Sequence, residues 1–191
     1  MVNSISKEQI SALPIAKFEG NIIVVQTEAD SEQAVSELSK QNVIGFDTET
    51  RPAFKKGQFY KISLIQLATA DTCYLFRLNK MDFPDCLMHL LSDEKIKKIG
   101  LSLKDDFSAI RKREDFVPQG FIELQTFVKQ YGIEDNGLQR IYAILFGEKI
   151  SKKQRLTNWE ADSLTPKQQM YAALDAWACL RIYNKLVDSY N

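Results

Sequence analysis

Apolar residues fall into short runs of strand length in the first half of the chain and into helical spacing in the second. Residues 21–26, with Ile22-Ile23-Val24-Val25 inside, predict a strand. So do residues 43–48, 61–69, 72–76 and the short run 97–101, separated by polar or Gly-containing turns. Helices are predicted at 6–13, ended by Pro14, and at 30–40, with Asp30 as N-cap and Gln33 completing a capping box. Others fall near 83–91, 103–113, 124–131, 138–146 and 166–190, and the polar segment 148–160 reads as a loop. Strands first and helices later, with some alternation, predict an α/β fold: a mixed sheet flanked by helices. No repeat, low-complexity tract or Pro/Gly-rich linker divides the chain. Residues 1–191 are therefore expected to form a single domain, with 1–20 as an extension packing on it or trailing from it.

Four carboxylates interrupt these apolar elements, where an unpaired charge is costly. Converging carboxylates in such places suit hard divalent cations. Two D-x-E patterns occur, and context separates them. Asp30 and Glu32 open a predicted helix, where acids favour the N-terminus. Asp47 and Glu49 lie on a predicted strand, so with Val43 and Gly45 they share one face, while Ile44, Phe46 and Thr48 take the other. At roughly 6–7 Å between backbones, both can reach one ion. A solvated strand end is the plainer reading of this pair alone.

Asp106 is preferred over its neighbour Asp105. It falls at i+3 from Leu103 and i−4 from Ile110, within the apolar stripe, whereas Asp105 projects off it. On the last helix Tyr171, Asp175, Ala178 and Ile182 share one face. A buried Tyr–Asp hydrogen bond is the structural alternative there. The second Y-x-x-x-D, Tyr131 and Asp135, runs into the polar turn Glu134-Asp135-Asn136-Gly137.

Composition removes several other chemistries. Lys+Arg and Asp+Glu both number 25, so no global field attracts nucleic acid, and any such binding needs a local patch. Basic clusters occur at Lys95/Lys97/Lys98, Arg111/Lys112/Arg113 and Lys149/Lys152/Lys153/Arg155. The first two read as solvated faces. The last, in a polar loop with Trp159, suits phosphate contact and base or sugar stacking. Three cysteines without a C-x-x-C pair read as reduced thiols and argue against zinc. His89 is the only histidine and is expected to be partly buried and structural; alone, it argues against Ser-His-Asp chemistry. No P-loop or G-x-G-x-x-G supports an organic nucleotide cofactor. No apolar h-region or membrane-length run is present, so a soluble intracellular protein, cytoplasmic or nuclear, is expected without membrane contact.

In order, the acidic sites resemble the three motifs of the DEDD superfamily of 3′–5′ exonucleases with tyrosine in the third, the ribonuclease D and Werner-type group. Phe46-Asp47-Thr48-Glu49-Thr50, followed by Ser63-Leu64-Ile65-Gln66-Leu67-Ala68, resembles the first motif. Residues 97–106, ending Leu103-Lys104-Asp105-Asp106, resemble the Werner-type form of the second, and Tyr171-Ala172-Ala173-Leu174-Asp175-Ala176 the third. Arg155-Leu156-Thr157-Asn158-Trp159 resembles the segment before that helix. The resemblance covers about residues 21–187. One departure is Glu123, where the family often has an aspartate that is not a metal ligand.

The resemblance implies a ribonuclease-H-like fold and a metal-dependent 3′–5′ exonuclease that releases nucleoside 5′-monophosphates. It implies two divalent ions, Mg2+ or Mn2+. Asp47, Glu49 and Asp175 would ligate the first, and Asp47 would bridge to a second supported by Asp106. Tyr171 would orient water. Thr48, Thr50, Gln66, Arg155 and Trp159 would contact a single-stranded or 3′-ended DNA or RNA, with the Werner-like wording tilting toward DNA. The alternative is an exonuclease-fold module that binds nucleic acid with little or no cleavage.

Overall fold

Six strands form one sheet in the computed structural model, which describes residues 3–190. They are β1 (Asn21–Val25), β2 (Val43–Thr50), β3 (Ile62–Ala68), β4 (Thr72–Arg77), β5 (Lys97–Gly100) and β6 (Phe121–Glu123). Their spatial order is β1-β4-β3-β2-β5-β6. β3 is antiparallel to both of its neighbours, while β1/β4, β2/β5 and β5/β6 pair in parallel. The mixed sheet flanked by helices is the architecture expected. Strand β6 has three half-buried residues, too little pattern for periodicity to show it, and it lies where the family resemblance puts the strand that carries Glu123.

Both faces of the sheet are covered. On one, Ile44 and Phe46 of β2 with Ile65 and Leu67 of β3 join a core with α3 (Asp85–Leu91), α4 (Leu103–Arg111) and part of α2 (Glu28–Leu38). On the other, Leu64, Ala68 and Leu75 pack under α6 (Leu138–Phe146) and the long α7 (Pro166–Tyr190). Burial on both faces is why every residue of β3 is inaccessible to solvent.

Local chemistry sets the ends. Helix α1 (Lys7–Ala12) is closed by a reciprocal capping box between Ser6 and Gln9. The N-terminal segment packs on the sheet domain, with Ala16 and Phe18 in the core and Ala16 N–H donating to the Lys149 carbonyl at 2.9 Å. Met1, Val2 and Asn191 lie outside the described residues. Helix α2 starts three residues earlier than a cap at Asp30 implies. Its cap is Thr27, whose hydroxyl oxygen accepts from Asp30 N–H at 3.2 Å, and Asp30 sits inside the first turn. The predicted helix at 124–131 divides into α5 (Leu124–Phe127) and a 3-10 turn, Val128–Tyr131, ended by Gly132 at φ 78°.

Some polar expectations are corrected. Lys98 is buried, its ammonium donating to the Leu90 and Asp93 carbonyls behind α3. Arg113 donates to the Leu78 and Met81 carbonyls. Each therefore ties the chain together instead of facing water. His89 is exposed, in the last turn of α3, where a helix end favours a basic group. Among the described residues no helix is long and apolar enough to cross a membrane.

Candidate active site

Close approach of α7 to β2 creates the site. A β-carbon on Gly45 would lie 2.0 Å from the Ala176 carbonyl oxygen, so only glycine lets the helix backbone settle there. Asp175 is thereby brought over the strand face that carries Asp47 and Glu49. One carboxylate oxygen from each of these three residues lies within 4.8 Å of the others.

Asp106 arrives from the opposite layer. Thr48, on the other face of β2, donates its hydroxyl to Asp106 Oδ1. Asp106 stands outside the tight triplet but close enough for its charge to raise both Asp47 and Glu49. Asp105 is exposed, as the helical spacing predicts. The N-terminus of α4 is fixed by Glu123, whose carboxylate accepts from Ser102 N–H at 3.1 Å and Leu103 N–H at 2.8 Å. Ser102 cannot cap this helix itself, because its backbone is left-handed at φ 64° and its side chain makes no cap bond. Glu123 is thus a positioning residue that sequence reasoning discounted. Twenty residues separate the partners, so no local pattern points to it.

The carboxylates resist ionisation. Asp47 is raised well above the ordinary range, first by burial and then by repulsion from Asp175, Asp106 and Glu49. Glu49 is pushed up to about 9 by burial and by Asp175 and Asp106, against relief from Arg155. Burial raises Asp106 to about 7, partly offset by the Thr48 hydroxyl. Burial likewise raises Asp175 to about 7, against relief from the Tyr171 hydroxyl and Lys152. The Tyr171 hydroxyl is raised far above its normal value by burial and the nearby carboxylates, so it stays protonated. Asp175 Oδ1 is buried with no hydrogen-bond partner in the protein. Hard oxygen donors, clustered, destabilised by mutual repulsion and with one oxygen unsatisfied, fit a divalent cation.

The cleft beside them is lined by Asp47, Tyr171 and Asp175 together with Leu101, Lys152 and Arg155. Arg155 is exposed and near Glu49, in keeping with a substrate contact. The four other expected contacts are placed differently. Trp159 is 0% exposed, its ring 6.0 Å from that of Tyr171, so it backs the tyrosine and stacks on no base. Gln66 is also 0% exposed, opposite Asp47 in the central β3, and both its amide atoms lack a partner. Thr48 holds Asp106, and half-buried Thr50 ends β2 at a register shift.

Comparison with known proteins gives a consistent result. The sequence model of the 3′-5′ exonuclease family matches residues 22–190. The mouse bifunctional 3′-5′ exonuclease/ATP-dependent helicase WRN is 34% identical over 184 residues, covering 91% of this chain. The chain spans only 13% of that protein's length. Among solved structures, the Nibbler EXO domain of Aedes aegypti superposes with a TM-score of 0.81 at 22% identity, covering 91% of each chain. Escherichia coli RNase D, an exoribonuclease involved in structured RNA processing, gives 0.79 at 24% identity, covering 88% of this chain and 44% of its own. The fold is the ribonuclease-H-like one of these structures.

Proposed function

Because the chain belongs to the 3′-5′ exonuclease family, we propose that it removes nucleotides from the 3′ end of a nucleic-acid strand as 5′-monophosphates, using two divalent ions, Mg2+ or Mn2+. The observation that carries the reading is the convergence of Asp47, Glu49 and Asp175 within 4.8 Å beside the partnerless Asp175 oxygen.

Asp47, Glu49 and Asp175 would hold one ion, and Asp106, held by Thr48 beside them, would help to hold a second. Bound ions supply Lewis-acid chemistry, making water a stronger nucleophile and stabilising the departing 3′ oxygen. Tyr171, kept protonated by burial and by Asp175, is no general base; its hydroxyl orients the attacking water by hydrogen bond. Lys152 and Arg155 place positive charge over the cleft, where the substrate phosphate sits. Leu101 gives the same cleft an apolar wall. DNA is the favoured substrate, on the Werner-type wording of residues 97–106.

A denaturing-gel time course on 5′-labelled single-stranded DNA and RNA of matched sequence tests this, with Mg2+, Mn2+ or chelator. The expected result is a metal-dependent ladder shortening from the 3′ end, faster on DNA. Faster RNA trimming would reverse the sugar preference. Intact substrates with metal, alongside retained affinity for the strand, would favour a binding module that does not cut.

A further inference from the structure

Next to the carboxylates, two acid-free segments come together on the surface. Residues 51–61 contain Arg51, Lys55, Lys56 and Lys61, and residues 152–158 contain Lys152, Lys153 and Arg155, with no Asp or Glu in either. In a chain whose charges balance, this makes one locally electropositive face. Lys149, just before, is excluded, since its ammonium donates to the Ser11 carbonyl. Arg51 pairs with Glu160, two residues past the second segment, at 3.2 Å and lies 4.7 Å from the Tyr60 ring centroid, so the free cations of the face are the lysines and Arg155. A hollow between them is lined by Arg51, Phe54, Gln58, Tyr60, Leu156 and Asn158.

The apolar side chains here serve no core. Phe54 is 78% exposed and Phe59 84%, the two most exposed large hydrophobics among the described residues, and Leu156 across the hollow is 59% exposed. Both phenylalanines sit in one segment between β2 and β3 and join neither core cluster. Exposed aromatics interleaved with lysines are the arrangement that holds unpaired nucleic acid, rings stacking on bases and cations meeting phosphates. The face is also continuous with the catalytic cleft. Arg51 follows Glu49 by two residues, and Arg155 both lines the cleft and relieves Glu49.

We propose that Phe54, Phe59 and the lysines around them form a second substrate subsite, a stacking platform for the unpaired strand that leads to the scissile phosphate. The proposal rests on the exonuclease reading. The terminal nucleotide enters the cleft at Asp175 and Tyr171, and the face that adjoins it through Arg155 and Arg51 gives the remaining strand a path. Stacking and phosphate contact read neither base identity nor the 2′-hydroxyl. The platform therefore favours unpaired ends over paired ones without choosing between DNA and RNA. Basic charge fits a polyanion better than it fits a second copy of a chain with zero net charge.

The test compares wild type with a Phe54→Ala/Phe59→Ala variant on a single strand of about a dozen nucleotides and on a dinucleotide, together with binding of the labelled strand in chelator. The ratio of kcat/KM for the long strand to that for the dinucleotide should fall about tenfold or more, and affinity in chelator should weaken by a similar factor. An unchanged ratio and affinity in an active enzyme would overturn the subsite and leave the exonuclease reading standing. Wild type that cuts neither substrate, yet binds the strand through Phe54 and Phe59, would keep the platform and sink the exonuclease reading. Sedimentation of both proteins supplies the last outcome: a dimer lost in the variant would assign the face to a second copy and overturn the proposal.

Discussion

Gly45 and Ala176 meet backbone to backbone, a β-carbon on the glycine falling 2.0 Å from the alanine carbonyl oxygen. That contact sets the distance between Asp175, one residue before Ala176, and the Asp47/Glu49 pair on the same strand as Gly45. Gly45→Ala must push α7 outward and separate the carboxylates. Overpacking of this kind costs about 1–3 kcal/mol. Activity should fall further than stability, because a displacement near 1 Å at the site costs about 100-fold in rate. Urea unfolding and a nuclease assay on the same variant check both.

Glu123 acts on the centre through α4. Its carboxylate satisfies the backbone N–H groups of Ser102 and Leu103, ahead of the helix that presents Asp106. Glu123→Ala should cost about 0.5–2 kcal/mol, as for other lost caps. It should also lower kcat while leaving tight metal binding by the Asp47/Glu49/Asp175 set largely intact. Calorimetric metal titration beside turnover measurements separates the two effects.

Acidity of the cluster couples metal, protons and stability. Without metal, Asp106 and Asp175 hold protons to about 7 and Glu49 to about 9, and Asp47 is raised as well. Unfolded carboxylates release theirs near about 4. The folded state thus binds more protons than the unfolded state from about pH 4 upward, so stability falls as pH rises through the folded values. Below the unfolded values these groups contribute no slope. A metal ion competes with those protons, so its stabilisation should grow with pH. Melting curves in chelator should drift downward from about pH 5 to about pH 9, and Mn2+ should raise the melting temperature most at the alkaline end. A pH-independent metal increment would contradict this assignment of the acids.

Trp159 gives a prediction with the opposite signature from a stacking residue. Buried against Tyr171, it should cost about 3–5 kcal/mol when replaced by alanine. Trp159→Phe should keep most of the stability and the wild-type affinity for single strands. A variant that folds normally but loses strand affinity would return the tryptophan to the substrate path. Chemical denaturation and anisotropy binding decide.

Most of the site was legible because its residues obey local periodicity. The two-residue spacing of Asp47 and Glu49, the i+3/i−4 position of Asp106 and the four-residue step from Tyr171 to Asp175 each fix a face without tertiary information. Gln66 and Trp159 were misread for a shared reason. β3 is buried on both faces, so polarity in it says nothing about exposure. The segment around Trp159 has no periodicity at all, and its burial comes from a contact with α7 twelve residues on. Glu123 and Thr48 act across layers of the fold, which no window of sequence spans. For α2, the cap is Thr27 and not Asp30, three residues later, because both residue types cap helices and the local sequence does not choose between them.

Whether the converging acids form a metal-dependent hydrolytic centre is decided by Asp175→Asn, which removes charge without changing shape. The measurement is a nuclease time course with Mn2+, read beside the melting temperatures of wild type and variant with and without the ion. The variant should give no 3′ shortening and should lose the Mn2+ increment. Without metal the variant should melt at or above wild type, because a repelling buried carboxylate has gone. A variant that trims the strand at the wild-type rate, or keeps the full Mn2+ increment, would contradict such a centre.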